Sequence, residues 1–391
     1  KYILCRSIKI ILYSKLHKRF NLMCKKLRIA GLMSGTSMDS LDCCICDIQI
    51  NKKNMILDFK IIDKMIFPFS QETIDEIRSC VYNDSNCLDH LDIYLGKIFL
   101  NLSQKFISQF KVDYISIHGQ TVIHIDKVKS IQLGNPKFLN EFFKVPIIYN
   151  FREKDIKNGG NGAPLAPFLD WLIFKEYKKN YLTINLGGIS NVSFIAKKGS
   201  IDSVYGFDVG PGMSLIDEYT NLKWGERFDK DARFSLNGVV NHKLLNYLMR
   251  TPFILKAPPK STGRNDFGVK FVKEVNKIFS NISPEDILRT FVNFTSKAIK
   301  LNIEKYILQY HKIDKIIVSG GGINHPLLIS DLKKDLDFKF EDILDYGVHS
   351  KFKECLLMIV LGYARINEIP SNIPNVTGSG KNIVLGDIYE S

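Results

Sequence analysis

The residues best suited to chemistry stand in GFDVGPG, residues 206–212. Asp208 is expected at the end of a strand, where Gly-Pro-Gly turns the chain into a helix. A carboxylate beside a helix N-terminus is fixed in space and kept ionised by the N–H donors there. That suits a general base acting on water or on a sugar hydroxyl; the plainer use of such an Asp is to cap the helix. A second stretch, GLMSGTSMDSLD, covers residues 31–42. An apolar run leads into Ser-Gly-Thr-Ser, and Asp39 and Asp42 follow before another apolar run. The pattern fits an ordinary polar hairpin turn. It also fits a turn whose backbone N–H groups, with the hydroxyls of Thr36 and Ser37, hold phosphate. Asp39 or Asp42 could then hold Mg²⁺ through water, because magnesium takes oxygen ligands and keeps its waters.

Two further turns have the same character. NLGGISN places Gly187 and Gly188 between two apolar runs, and a buried run near residue 318 ends in Ser319 followed by Gly320, Gly321 and Gly322. Glycine lets backbone approach a nucleotide closely, so the second turn suits phosphate and the third a ribose or base. No G-x-x-x-x-G-K-[ST] occurs, which argues against a P-loop. His118 and Gln120 in SIHGQT are candidates for hydrogen bonds to a sugar. Lys260 and Arg264 in PPKSTGR stand on an expected loop, as cleft-closing contacts or as solvated charge.

The elements that must position these residues follow one plan twice. Residues 27–34, 41–49 and 56–63 read as three successive strands, then 71–80 and 91–110 as helices and 113–118 as a strand, with 122–125 beside it. From residue 181 the pattern begins again. Strands are expected at 181–186, 192–197 and 202–207 and a helix at 212–221. A long helical run, with room for one break, covers 284–310, with Ser283 as its N-cap. A buried strand is expected at 315–318 and a last helix at 351–365. Two α/β lobes facing one another make a cleft, the usual place for a ligand. The expected division is an extension at 1–26, lobe I at 27–180 and lobe II at 181–391.

Composition agrees with a two-domain globular protein: 391 residues, 45% hydrophobic and 24% charged. No apolar run reaches the roughly 18 to 20 residues that span a bilayer. The net charge is +13, and Lys1, Arg6, Lys9, Lys15, Lys18 and Arg19 supply nearly half of it within residues 1–22. The rest is scattered lysine with no basic stripe interleaved with aromatics, so nucleic acid is not the expected partner. A basic cleft for phosphorylated ligands fits. Residues 1–22 carry no clear core pattern and read as an upstream extension. The eight cysteines lack zinc spacing and read as small buried apolar residues of a reducing compartment.

GLMSGTSMDSLD, SIHGQTVIH, NGGNGAPLAP, INLGGISNVSF, GFDVGPGMSLID, DKDARFSLNG, PPKSTGR and IPNVTGSGKNIVLG resemble, in order, the motifs of the anhydro-N-acetylmuramic acid kinases, from about Arg28 to Ile388. The resemblance implies an α/β fold of the acetate kinase, sugar kinase, heat-shock chaperone and actin type, with duplicated RNase H-like lobes and a central ATP cleft. It implies ATP and Mg²⁺ as cofactors and a cytoplasmic enzyme of peptidoglycan recycling, with a homodimer left open. Water opens the 1,6-anhydro ring of the amino sugar while O6 takes the γ-phosphate, giving N-acetylmuramic acid 6-phosphate. The resemblance maps the catalytic aspartate onto Asp208 and the phosphate loop onto Gly35, Thr36, Ser37, Met38, Asp39, Ser40, Leu41 and Asp42. It also offers Glu354 as a carboxylate near the cleft; for the lactyl carboxylate of such a substrate, Arg152 in NFREKD is a candidate partner, because an arginine fork suits a carboxylate. Departures include Ser40 where glycine is usual and Cys355 after Glu354 where alanine is usual. An ordinary sugar kinase and a non-enzymatic actin-like or chaperone-like ATPase share the fold and are the alternatives.

Overall fold

The computed structural model describes residues 25–35, 38–82 and 87–391. The extension expected at residues 1–22, and Thr36 and Ser37 of the first turn, lie outside the described residues.

Lobe I begins with the meander β1 (Leu27–Met33), β2 (Ser40–Asn51) and β3 (Ile56–Pro68). β1 is buried on both faces from Ile29 to Leu32, as that apolar run requires, whereas β3 exposes Lys60, Asp63 and Lys64 along a sheet edge. Helices α1 (Gln71–Tyr82) and α2 (Leu88–Ile107) lead to β4 (Tyr114–His118). The hairpin β5 (Gln120–Ile125) and β6 (Lys129–Leu133) forms its own small sheet, and β7 (Ile147–Tyr149) returns to the main one. Helix α3 (Ala166–Phe174) joins the lobes. Lobe II repeats the meander with β8 (Tyr181–Leu186), β9 (Ile189–Ile195) and β10 (Tyr205–Pro211). Helices α4 (Ser214–Trp224) and α5 (Pro284–Ile303) precede β11 (Lys315–Ser319) and β12 (Phe340–Asp342). The Ser283 side chain caps α5 as expected, accepting the Asp286 N–H at 3.2 Å. The chain ends with α6 (Lys353–Ile366) and β13 (Asp387–Tyr389).

The two sheets share one topology. The first runs β13-β7-β4-β1-β2-β3 and the second β10-β9-β8-β11-β12. In each, an antiparallel meander is extended from its first strand by parallel strands, β4 and β7 in one and β11 and β12 in the other. The α/β plan is therefore duplicated, as the repeat of strands in the sequence leads one to expect.

The division at residue 181 needs one correction. α6 packs on β1, β2 and β4, and β13 pairs with β7, so the C-terminal segment belongs to lobe I. The physical reason is that KECLLMIVLGYARI is apolar around nearly its whole circumference and must be covered on all sides. Gly31 permits the close approach: a Cβ there would lie 2.5 Å from the Cys355 carbonyl oxygen. On its other side α6 meets α3 through a buried ion pair, Lys353 Nζ to Asp170 Oδ1 at 2.7 Å. One core therefore combines residues of both lobes, including Ile29, Phe168, Tyr181 and Ile359.

The cysteines depart from expectation in one respect. Cys43, Cys44, Cys46 and Cys355 are buried thiols, but Cys80 and Cys87 form a disulfide joining the end of α1 to the start of α2. Their Cα atoms are 5.9 Å apart because the two helices meet there. Cys5 and Cys24 lie outside the described residues.

Candidate active site

A cleft opens between the lobes. Its wall includes His118, Arg152, Gly187, Gly188, Asp208, Thr262, Arg264 and Glu354, drawn from both halves of the chain.

Asp208 lies within β10 rather than at its end. The strand runs on to Pro211, and the pairing with β9 shifts register between Asp208 and Gly210. Such a bulge re-aims a side chain out of the regular alternation. Residues 201–203 form a short 3₁₀ turn, which takes up the first two residues of the strand expected at 202–207. Asp208 is 5% exposed. Its Oδ2 accepts the Thr262 N–H at 3.0 Å, and its own N–H donates to the Lys260 carbonyl at 3.2 Å. The expectation that the N–H donors of a helix terminus keep this carboxylate ionised is corrected. Burial pushes its pKa up to about 7, against the opposing pull of Thr262, Arg152 and Lys260. A carboxyl poised near neutrality is suited to taking a proton from water.

Arg152, His118 and Glu354 stand around it. Arg152 donates from Nε to His118 Nε2 at 3.0 Å and from Nη1 to the Gly162 carbonyl at 2.9 Å. His118 Nδ1 is 2.8 Å from the Gly119 carbonyl. The ring is therefore a donor at Nδ1 and an acceptor at Nε2, and burial lowers its pKa to about 3, so it is neutral. Both nitrogens are committed to the protein, and His118 orients Arg152 instead of meeting the sugar as expected. Gln120 is also corrected. It is fully buried, accepts from Ser34 Oγ at 2.7 Å and donates to the Thr121 carbonyl at 3.2 Å. It ties the end of β1 to β5. Glu354, in the first turn of α6, lines the cleft, and burial raises its pKa.

The loop beyond Arg152 is itself pinned. Buried Asp155 accepts the Gly162 N–H at 2.9 Å, Asn372 Nδ2 at 3.0 Å and Thr377 Oγ1 at 2.8 Å. This joins NGGNGAPLAP to IPNVTGSG, two motifs separated by some two hundred residues in sequence. Ala163, Pro164 and Leu165 then form the apolar wall of the cleft.

The first turn is divided in its roles. Met38 has φ 61°, lies buried and lines the cleft, with its N–H donating to the Gly35 carbonyl at 3.1 Å. Leu41 points into the lobe I core, so its side chain is not a phosphate ligand. The Ser40 hydroxyl lies 2.9 Å from Asp42 Oδ1 and 3.5 Å from Asp39 Oδ1. Burial pushes the Asp42 carboxyl up to about 6, with Asp39 and Glu354 adding to the rise. In the second turn, Gly187 and Gly188 line the cleft, and their carbonyls accept N–H groups of Gly212, Met213 and Ser214 at 2.8 to 3.1 Å. That fixes the turn against the start of α4. Gly320, Gly321 and Gly322 follow β11 outside the enclosed part of the cleft. Gly320 has φ +89° and packs against the Leu186 carbonyl, where a Cβ would lie 2.6 Å away.

Sequence reasoning missed Thr262, the N–H donor to Asp208, and the contact that closes the cleft beside it. The β5–β6 hairpin of lobe I reaches the 256–262 loop of lobe II. His124 Nε2 is 3.0 Å from Ser261 Oγ, Asp126 Oδ2 accepts the Ser261 N–H at 3.3 Å, and Lys256 pairs with Asp126 at 3.3 Å. PPKSTGR is the available signal, but it holds no hint of which atoms face Asp208. Arg264, for which the sequence allows a cleft contact or solvated charge, is buried and pairs with Glu218 at 2.5 Å, with Arg78 of lobe I 3.6 Å from the same carboxylate.

A family model described as anhydro-N-acetylmuramic acid kinase matches residues 27–391. A protein of Clostridioides difficile (strain 630) called anhydro-N-acetylmuramic acid kinase is 32% identical over 375 residues, covering 92% of this chain and 97% of its own. One of the same name from Francisella tularensis subsp. novicida (strain U112) is 31% identical over 372 residues, covering 92% and 97%. Another, from Bacillus cereus (strain G9842), is 32% identical over 380 residues, covering 92% and 98%.

Proposed function

The chain belongs to the anhydro-N-acetylmuramic acid kinase family, and we propose on that premise how its cleft carries the reaction. The protein is an ATP-dependent phosphotransferase that opens 1,6-anhydro-N-acetylmuramic acid and yields N-acetylmuramic acid 6-phosphate, a step of cell-wall recycling.

Asp208 is the general base. It takes a proton from water as the water oxygen bonds to C1 of the sugar. The C1–O bond of the anhydro bridge breaks, and the bridge oxygen remains on C6. That oxygen bonds to the γ-phosphorus of ATP, the bond to the β-phosphate oxygen breaks, and ADP leaves. One base near C1 thus serves both events. Arg152, held by His118 and Gly162, faces the lactyl carboxylate, for which a rigid guanidinium fork is suited. The turns at Gly35–Asp42 and at Gly187 and Gly188 receive the phosphates, with Gly320 to Gly322 on the nucleoside side. Glu354 assists from the α6 side of the cleft.

Mg²⁺ fits the residues present. Asp39 and Asp42 stand on either side of Ser40, whose hydroxyl reaches both carboxylates, and together they offer the all-oxygen donor set that magnesium takes. They would hold the ion through its waters, where it would neutralise charge on the triphosphate. No helix among the described residues is long and apolar enough to cross a membrane. We place the reaction in the cytoplasm, where ATP is supplied.

The observation that carries this reading is Asp208, buried in the interlobe cleft with its pKa drawn to about 7. In ¹⁸O-labelled water with the anhydro sugar and MgATP, label should appear at C1 of the product and none in the transferred phosphate. Label in free phosphate, or a closed and unlabelled sugar, would refute it.

A further inference from the structure

Lys260 is fully buried and takes no part in the steps above. Its Nζ donates to the Phe253 carbonyl at 3.1 Å and to Asn302 Oδ1 of α5 at 2.8 Å. It lies 4.7 Å from the Phe253 ring centroid, with the rings of Phe207 and Tyr306 at 5.8 and 5.9 Å. Among the described residues no carboxylate forms an ion pair with it. A buried ammonium without a carboxylate is costly, even when its hydrogen bonds are made and aromatic faces surround it. Burial draws its pKa down to about 7. A neutral residue such as methionine would fill the same aromatic pocket without that cost.

The backbone of the same residue explains the choice. The Lys260 carbonyl accepts the Asp208 N–H, and two residues on, Thr262 donates its N–H to Asp208 Oδ2. Residues 260–262 therefore grip Asp208 by its main chain and its carboxylate together. We propose that Lys260 is a positioning residue for Asp208. Its ammonium, anchored by Phe253 and Asn302, locks the 260–262 loop so that Thr262 meets the carboxylate, and its charge favours the ionised base. The inference rests on the reading of Asp208 as the base. The charged groups facing Asp208 are Arg152, Asp126 and Lys260; those facing Lys260 are Asp208, Lys256 and Lys305. Arg152 and Lys260 approach the carboxylate from different elements, one after β7 and one after the short helix Pro252–Leu255. The Lys260 charge lowers the pKa of Asp208 and the Asp208 charge raises that of Lys260, so removing one charge moves the other.

The test is Lys260→Met, which keeps the length and apolar packing of the side chain and removes its charge and donors. The acid limb of the kcat profile should move up by about one pH unit. Turnover at pH 7 should fall about fivefold and recover to near the wild-type value at pH 9, with the KM for ATP unchanged. Lys260→Arg should restore the wild-type limb. A lower melting temperature with an unmoved limb would overturn the proposal and leave Lys260 a structural residue. If the methionine variant does not fold, Asn302→Ala, which removes the anchor of the ammonium, decides in its place: an upward shift supports the proposal and an unmoved limb overturns it. Asp208→Asn separates the two levels. An inactive Asp208→Asn with unshifted anchor variants rejects only the role of Lys260, whereas an active Asp208→Asn rejects the base itself.

Discussion

Replacing Asp208 with Asn should damage catalysis and improve stability, and the second effect should depend on pH. Asn keeps the shape of the side chain and an oxygen to accept the Thr262 N–H at 3.0 Å, but it cannot take a proton. Turnover should fall on the order of 10²–10⁴-fold, the usual worth of a general base. ATP affinity should stay within a few-fold, because the phosphate turns are untouched. The stability effect follows from the carboxyl pKa, which rises from 3.8 to about 7 on folding. The folded state therefore holds this proton more tightly than the unfolded state does. That contribution is complete below the unfolded value of 3.8 and is lost as pH rises to about 7. Above that, folding confines a charged carboxylate at a cost of up to about 4 kcal/mol, at about 1.4 kcal/mol for each pKa unit. Asn is neutral throughout, so the variant should melt a few degrees above wild type at pH 8, with the gap closing toward pH 4. Steady-state kinetics, ATP titration and thermal melts at three pH values would measure all of this. Turnover within a few-fold of wild type, or a melting difference that is the same at pH 4 and pH 8, would refute the reasoning.

Arg152→Lys should lose the paired contacts to His118 and Gly162 and raise the KM for the sugar about tenfold, the worth of one charged hydrogen bond, while the KM for ATP moves less than twofold; equal effects on both substrates would contradict its placement. Lys353→Met should strand Asp170 in the core with only the hydroxyls of Thr183 and Ser193 and destabilise the protein by about 3–5 kcal/mol in urea unfolding. Adding Asp170→Asn should recover much of that loss, and a double variant no more stable than the single one would show that packing, not charge, sets the cost.

Much of this molecule is legible in its amino-acid order, because local patterns and the repeat of a plan need no long-range information. The meander strands at 27–33 and 181–186, the capped helix beginning at Pro284 and the all-apolar helix near the C-terminus follow from periodicity and turn residues. Asp208 stands out because Gly and Pro flank a lone acid at the end of an apolar run, and the order of motifs points to the family. Tertiary structure decided what each polar residue touches. α6 and β13 return to lobe I because an apolar helix finds its cover wherever the open sheet face lies, irrespective of chain order. His118 and Gln120 look like ligands in sequence, yet the packing of β1, β4 and β5 uses up their hydrogen bonds within the protein. Thr262 carries no signal of its own, since the group that matters is a backbone N–H, which every residue but proline possesses. The raised pKa of Asp208 is likewise invisible in GFDVGPG. Thr262, Arg152 and Lys260, which pull it down, all stand far from Asp208 in sequence, and the burial that outweighs them exists only once the lobes have closed around the cleft.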